Sequence, residues 1–381
     1  MSINKIQNCE NKNKQVVEIH LNLQYHTTII YMEVCMNISV VIPVHNSVPF
    51  LNSCLSSVLP QLNADDEVLL LENGSTDASW EICEKYAEND TRIHAYNLGP
   101  CGVSHARNEG IRHASCNFIM FLDSDDLLTD DALTEAHTWS VFENADILSF
   151  GYMNIDGNGN VLEEDGSNAS SSNTTITVPS QILVKSALRF ARFGKEAESF
   201  GFDHTTIWTC WAKFFRRDFL LENKILFPEE LILSEDTFFM VHAYLKADTI
   251  LSYPKKIYRY RVNESSVSRN MQPKHLENNS HLRKKIYTLL RDTDADRIYR
   301  DELAAFLIRK FIEEILYIKE SGSYKIEDAV DYIRKSLKPG YMKNALEMCG
   351  YTDIVPGKKN SLKYGYVLWC LKHGKETLFL R

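Results

Sequence analysis

From Ile38 to Asp123 short apolar runs alternate with amphipathic helical patterns, and this alternation restricts the fold more than any other feature of the chain. Ile38-Ser39-Val40-Val41-Ile42-Pro43 is a β-branched run that suits a buried strand. Ser47 then offers a cap to a helix with Phe50, Leu51, Cys54, Leu55 and Val58 on one face. Val68-Leu69-Leu70-Leu71-Glu72 is a second strand. Asn73-Gly74-Ser75-Thr76-Asp77 supplies a turn and caps for a helix carrying Trp80, Cys83 and Tyr86. Ile93 to Tyr96 is a brief third strand, and Asn97-Leu98-Gly99-Pro100 leads into a helix over 103–113. The fourth strand, Phe118-Ile119-Met120-Phe121-Leu122, ends at Asp123. Such alternation with short links predicts an α/β fold, with a mostly parallel, Rossmann-like central sheet flanked by helices. Sheets of this kind bind ligands at the carboxyl ends of their strands, where Asn46, Glu72 and Asp123 can converge.

The fourth strand runs straight into Asp123-Ser124-Asp125-Asp126, three carboxylates within four residues. Carboxylates this close repel one another unless a cation lies between them, and their oxygens suit Mg²⁺ or Mn²⁺. Asp-rich turns after strands are also common, and the chain holds a second run, Asp292-Thr293-Asp294-Ala295-Asp296. No apolar strand precedes that run, which reads as a solvated turn between helices.

The totals narrow the partners. The 381 residues suffice for one large domain with an appendage, or for two domains. Hydrophobic content of 44% and charged content of 24% are those of an ordinary globular protein. A net charge of −9 argues against nucleic acid as a partner. The nine cysteines are scattered without C-x-x-C spacing, which indicates reduced, mostly buried thiols in a cytosolic protein. No apolar run reaches the roughly 18–20 residues of a membrane span. The first fifteen residues lack the apolar stretch of a signal peptide, and residues 1–36 read as a disordered or spurious extension.

Four motifs stand in order: Pro43-Val44-His45-Asn46, Glu72-Asn73-Gly74-Ser75-Thr76-Asp77, Ala106-Arg107-Asn108-Glu109-Gly110 and Phe121-Leu122-Asp123-Ser124-Asp125-Asp126. In this order the chain resembles the family 2 inverting glycosyltransferases of GT-A fold, whose usual patterns are P-x-Y-N, D-D-G-S-x-D, A-R-N-x-G and F-L-D-x-D-D. The resemblance covers about 37–270 and is specific because each motif falls at a strand end or helix start. His45 departs from the usual Tyr, and Glu72-Asn73 from the usual Asp-Asp. It divides the chain into a domain over 37–270, with a nucleotide-sugar half (37–130) and an acceptor half (131–270), followed by a helical region over 271–381.

The resemblance implies the roles. Pro43, His45, Asn46, Glu72, Asn73, Arg107, Asp123 and Ser124 would meet the nucleotide-sugar. Asp125, with Asp123 in its shell, would ligate Mn²⁺ or Mg²⁺ at the diphosphate, and Arg107 would touch the donor near its phosphates. Ser234-Glu235-Asp236-Thr237-Phe238-Phe239, after Phe227-Pro228-Glu229, matches the family's E-D-x-x-F pattern. By itself the segment reads as a capped helix start with carboxylates suited to the dipole. In the family its Asp is the catalytic base, which implies that role for Asp236, with Glu235 orienting the acceptor or the base. Trp208 and Trp211 are candidates for the acceptor site, against the alternative of plain core packing. Tyr258 to Ser268 resembles a flexible segment that folds over the donor, with Arg259 or Arg261 near phosphate.

Residues 154–175 are rich in Asn, Gly and Ser and read as a loop or insertion, with incidental sequons at Asn168 and Asn173. A helix pattern recurs from Arg297 to Lys319. The tail over 358–381 carries five Lys, one Arg and one Glu among aromatic and aliphatic residues. It reads either as an ordinary packed helix or as a peripheral contact with the cytosolic face of a membrane. The resemblance as a whole implies a metal-dependent, inverting hexosyltransferase. Its donor would be a nucleotide-sugar, UDP before GDP or dTDP. Its acceptor would be a saccharide or lipid-linked saccharide in polysaccharide, capsule or lipopolysaccharide synthesis. A catalytically decayed sugar-nucleotide binding protein is the alternative.

Overall fold

The computed structural model describes residues 2–11, 14–23, 26–33, 36–138, 145–162, 175–203, 205–262, 274–354 and 361–380. Residues 2–33 precede the main sheet. They form an antiparallel meander of β1 (Ser2–Asn11), β2 (Lys14–Leu23) and β3 (His26–Glu33), separate from the main sheet. Ile19 stands opposite Ile30 and Val17 opposite Met32.

The main chain then alternates as the sequence indicates. Its first half holds β4 (Ile38–Val44), α1 (Leu51–Val58), β5 (Glu67–Glu72), α2 (Ser79–Asn89), β6 (Ile93–Asn97), α3 (Val103–His113) and β7 (Phe118–Phe121). Short β8 (Leu127–Leu128) and α4 (Ala132–Thr138) follow, then β9 (Ile147–Ile155), β10 (Ile176–Thr177), α5 (Ser180–Glu198), β11 (Lys213–Arg216), α6 (Arg217–Glu222), α7 (Glu235–Lys246) and β12 (Ile250–Arg261). The sheet order is β10-β12-β9-β11-β7-β4-β5-β6, with β8 beside β12. The β7-β4-β5-β6 half is parallel. The other half is mixed, because β11 enters antiparallel to both β7 and β9 while β12 runs parallel to β9.

Burial on both faces explains the near-continuous apolar strands. Val41, Leu69, Leu71, Ile119 and Phe121 face one core, while Val40, Ile42, Val68, Leu70, Met120 and Leu122 face the other. This is the period of two expected of strands covered on both sides. The first core holds an aromatic cluster that ties β7 to α7. Phe227 and Phe239 stack at 4.0 Å, and Phe121 meets both edge-on at 5.2 and 5.8 Å.

The same core continues into the helical region, built of α8 (Lys274–Asp292), α9 (Arg300–Ser321), α10 (Ile326–Leu337), α11 (Gly340–Met348), α12 (Tyr351–Ile354), α13 (Ser361–Lys372) and α14 (Glu376–Leu380). Inside it a buried Arg283–Glu314 pair is completed by the Tyr332 hydroxyl, which donates to Glu314 Oε2 at 2.7 Å. In the tail, α13 buries Tyr364, Val367, Leu368, Cys370 and Leu371 and exposes Tyr366 and Trp369, so its apolar residues serve internal packing first. Among the described residues no helix is long and apolar enough to cross a membrane. The sequons at Asn168 and Asn173 lie outside the described residues.

Two capping expectations change. The Ser47 side chain bonds the His45 carbonyl and Ser124 Oγ, and it is the Ser47 carbonyl that receives the Phe50 and Leu51 N–H groups at the start of α1. Ser234 precedes α7 in the left-handed conformation (φ 61) without a side-chain capping bond.

Gly110 explains why α3 lies so close to β4. A Cβ at this position would come within 2.3 Å of Val41 Cγ1. Gly110→Ala should therefore lower unfolding stability by about 1–3 kcal/mol, with part of the loss recovered by adding Val41→Ala. Denaturant titration of the three variants checks this.

Candidate active site

Strands β4, β5 and β7 end on the same edge of the sheet, and their loops interlock there. Asn46 takes a left-handed conformation (φ 49) and accepts the Thr76 N–H at 2.8 Å, while its own N–H donates to Ser75 Oγ at 3.0 Å. His45 Nδ1 lies 2.9 Å from the Asn73 carbonyl. Glu72 is buried and accepts the Ser75 N–H through Oε1. The Asn73 side-chain oxygen receives the N–H groups of Cys101 and Gly102 at 2.9 and 2.7 Å, at the start of α3. These residues thus shape the cleft edge through backbone contacts. Pro43 lies within β4 opposite Leu71 and sets the strand end.

The D-x-D turn divides its carboxylates. Asp126 is buried; it accepts the Tyr258 hydroxyl at 2.6 Å and the Arg261 N–H at 2.7 Å. Tyr258 in turn accepts the Asp123 N–H at 3.3 Å, and Arg261 Nε donates to the Asp125 carbonyl at 2.7 Å. Ser124 Oγ meets Ser47 Oγ at 2.7 Å, joining the turn to the loop after β4. Burial, and then the charges of Asp123 and Asp125, push the Asp126 carboxyl well above its usual range. Burial, followed by the charge of Asp123, pushes Asp125 up to about 6.

Asp123 and Asp125 form a two-carboxylate oxygen donor set whose mutual repulsion a divalent cation would relieve. Among the described residues no three His, Cys, Asp or Glu side chains form a complete cage. Carboxylate oxygens of this kind could hold Mg²⁺ or Mn²⁺.

Arg107 of α3 is 4% exposed and occupies the centre of the site. Its Nη2 donates to Asp123 Oδ1 at 2.8 Å, and its Nη1 donates to Glu235 Oε1 at 3.0 Å and Asp236 Oδ1 at 3.1 Å. The guanidinium rests 5.3 Å over the Phe227 ring. Burial alone would lower its pKa, and the surrounding negative charge holds it well above the ordinary value. Asp236 stands at the start of α7, with its Oδ2 3.4 Å from the Cys210 N–H. Burial pushes its pKa up to about 7. Glu235 and Asp123 add to the rise, while Arg107 and the Cys210 amide oppose it. A carboxyl in this range can accept a proton near neutral pH.

Several of the expected site residues already hold protein partners in this geometry. Arg107 gives its terminal nitrogens to three carboxylates. Arg261 is likewise taken up, by the Asp125, Asp156 and Gly157 carbonyls, and lies over Phe50. Arg259 lies 3.3 Å from Asp130. Residues 263–268 of the same segment lie outside the described residues. Trp211 packs in the core, 4% exposed and stacked on Tyr258 and Tyr260 at 4.8 and 5.4 Å. Trp208 is half-buried, and its indole N–H donates to the Ala187 carbonyl at 2.8 Å.

Sequence reasoning missed Tyr258 and Asp126 as the anchor of the D-x-D turn, and the Cys210 amide as a partner of Asp236. The third carboxylate of the turn was a signal for the first, since three acidic groups cannot all stay unpaired. The second leaves no sequence signal, because any residue but proline supplies an N–H.

Comparison with known proteins agrees with this architecture. Residues 39–221 match the family model described as glycosyl transferase family 2. The glycosyltransferase EpsJ of Bacillus subtilis (strain 168) is 30% identical over 234 residues, 61% of this chain and 62% of EpsJ. The poly(ribitol-phosphate) beta-N-acetylglucosaminyltransferase TarS of Staphylococcus aureus (strain MW2) is 26% identical over 286 residues, 72% of this chain and 44% of TarS. These alignments thus span less than two thirds of either relative. The crystal structure of S. aureus TarS 1–349 in complex with UDP superposes with a TM-score of 0.60, covering 91% of this chain and 89% of that one at 22% identity. Residues 39–221 thus carry a glycosyl transferase family 2 domain, and the shared architecture gives the chain the GT-A fold.

Proposed function

We propose that the protein transfers a sugar from a UDP-sugar to an acceptor hydroxyl with inversion at the anomeric carbon. The observation that carries this reading is the half-buried Asp236 carboxyl, tuned to about 7, joined through Arg107 to Asp123 of the D-x-D turn. One cation thereby links the residue suited to take a proton to the residue suited to face the donor.

The donor lies across the ends of β4, β5 and β7, with its base toward Glu72 and Asn73 and its diphosphate toward Asp123 and Asp125. A Mn²⁺ or Mg²⁺ held there supplies charge neutralisation for the departing nucleoside diphosphate. Asp236 accepts the proton of the acceptor hydroxyl as that oxygen attacks the anomeric carbon from the face opposite the diphosphate. Glu235 shares Arg107 with Asp236 and orients the base. UDP as the nucleotide draws support from the TarS crystal structures in complex with UDP and UDP-GlcNAc. A bacterial surface polymer or its lipid-linked precursor as acceptor draws support from the poly(ribitol-phosphate) transferases among the relatives. A peripheral membrane contact through the exposed Tyr366 and Trp369 of α13 would suit a lipid-linked acceptor.

Two outcomes test the roles. Calorimetric titration with UDP should show binding enhanced by Mn²⁺, and Asp125→Ala should abolish the enhancement. UDP binding indifferent to Mn²⁺ in the unmodified protein would remove the metal from this proposal. Asp236→Asn should leave UDP binding intact and lower kcat by about 10²–10⁴-fold, the usual contribution of a general base. Because only the ionised form takes a proton, kcat should rise as pH climbs through about 7. Stability runs the other way. The folded-state pKa lies above the ordinary 3.8, so this group's stabilisation is full below that value and lost as pH rises through about 7. A flat kcat profile between pH 6 and 8 in the unmodified enzyme, or a fully active Asp236→Asn, would remove Asp236 from the mechanism.

A further inference from the structure

Lys213 is fully buried at the start of β11, followed by Phe214 and Phe215. Its ammonium donates to the carbonyl oxygens of Thr206 at 2.7 Å and Thr209 at 2.9 Å, and stands 5.7 Å over the Phe202 ring. Among the described residues no carboxylate lies within ion-pair distance of it. A buried ammonium is costly, and burial pulls its pKa down to about 8. Holding two backbone carbonyls is a duty that a neutral side chain could perform at lower cost. The charge therefore calls for a reason.

The reason lies in which peptide it holds. The carbonyl of Thr209 and the N–H of Cys210 belong to one peptide unit. Lys213 Nζ bonds the carbonyl side at 2.9 Å, and Asp236 Oδ2 faces the N–H side at 3.4 Å. A cation on a carbonyl oxygen polarises its peptide and makes the N–H a stronger donor. The surrounding loop is fixed for this purpose. Asp203 Oδ1 accepts the N–H groups of Thr205 and Thr206, both at 2.8 Å, and the Tyr244 hydroxyl donates to the Ile207 carbonyl at 3.2 Å. The 3.4 Å contact is of the kind that shortens once substrate is bound.

We infer that Lys213 is a positioning residue for Asp236, acting through the Thr209–Cys210 peptide to hold and favour the ionised carboxylate. This rests on Asp236 as the base. The other groups facing Asp236 are Arg107 from α3, Asp123 beyond β7 and Glu235 on its own helix. The Cys210 thiol faces Asp236 as well, and the charges of Lys213 and Asp236 attract each other directly, so a substitution at Lys213 reaches Asp236 both through space and through the loop.

The test uses the full chain labelled with ¹⁵N-cysteine. In the unmodified protein the Cys210 amide resonance should titrate near neutral pH, and that titration should vanish in Asp236→Asn. Lys213→Met should move the midpoint upward by about 0.5–1 pH unit, lower kcat at pH 7 and let it recover as the pH is raised. Lys213→Arg should retain the unmodified midpoint, and UDP affinity should stay within about twofold in both, as measured by calorimetry. A Cys210 amide blind to Asp236 in the unmodified protein overturns the inference, and this reading does not depend on any Lys213 variant folding. So does a Lys213→Met protein that binds UDP and titrates as the unmodified one does. A fully active Asp236→Asn would instead overturn the base assignment, while leaving the coupling between Lys213 and the Asp236 carboxyl intact.

Discussion

Arg107 receives carboxylates from two distant parts of the chain, and the architecture of the site follows from that meeting. Asp123 is 16 residues away in sequence, while Glu235 and Asp236 are 128 and 129 away. A guanidinium at 4% exposure has lost nearly all its water, and only these charge-assisted bonds offset that loss. Removing one partner of a buried ion pair costs about 3–5 kcal/mol, because the other is left uncompensated. The end of β7 and the start of α7 therefore cannot drift apart independently. Beneath the guanidinium, Phe227 serves twice: it stacks on Phe239 of α7 and presents its face to Arg107. Packing and charge fix the same spacing.

The D-x-D turn is held from the opposite side. Asp126 gives its oxygens to Tyr258 and Arg261 of β12, and the Asp123 N–H closes the loop on the Tyr258 hydroxyl. Three adjacent carboxylates would otherwise repel one another into the open. With Asp126 committed to the backbone frame, Asp123 and Asp125 are held at the cleft despite their repulsion. Burial, with that repulsion added to it, raises the pKa of Asp125, and a divalent cation there would lower it.

The departures from the family pattern become intelligible at the cleft edge. Asn73 stands where an acid is usual, yet the groups it meets are two backbone N–H donors before α3. An amide oxygen satisfies these as a carboxylate would, so the turn survives the loss of charge. Glu72 keeps a charge but ties one oxygen to the Ser75 N–H, the link that folds the Gly74 turn back onto its strand. Gly74 itself is required there, because a Cβ would come within 2.6 Å of the Pro100 backbone.

The sequence by itself determined the order of strands and helices, the two-faced burial of the sheet and the positions of the motifs at strand ends. These are local properties: periodicity and turn chemistry are written within a few residues of where they act. The helix over 103–113 coincides with α3, and the pattern from Arg297 coincides with α9 at Arg300–Ser321. Only the tertiary structure decided which charges pair. Arg107 meets three carboxylates that no local pattern announced, and Trp211, open in sequence between an acceptor contact and core packing, stacks on Tyr258 and Tyr260. Lys213 drew no notice in sequence, since its partners are backbone carbonyls and every residue has one. Burial and through-space distance set these roles, and neither is a property of any short stretch of chain.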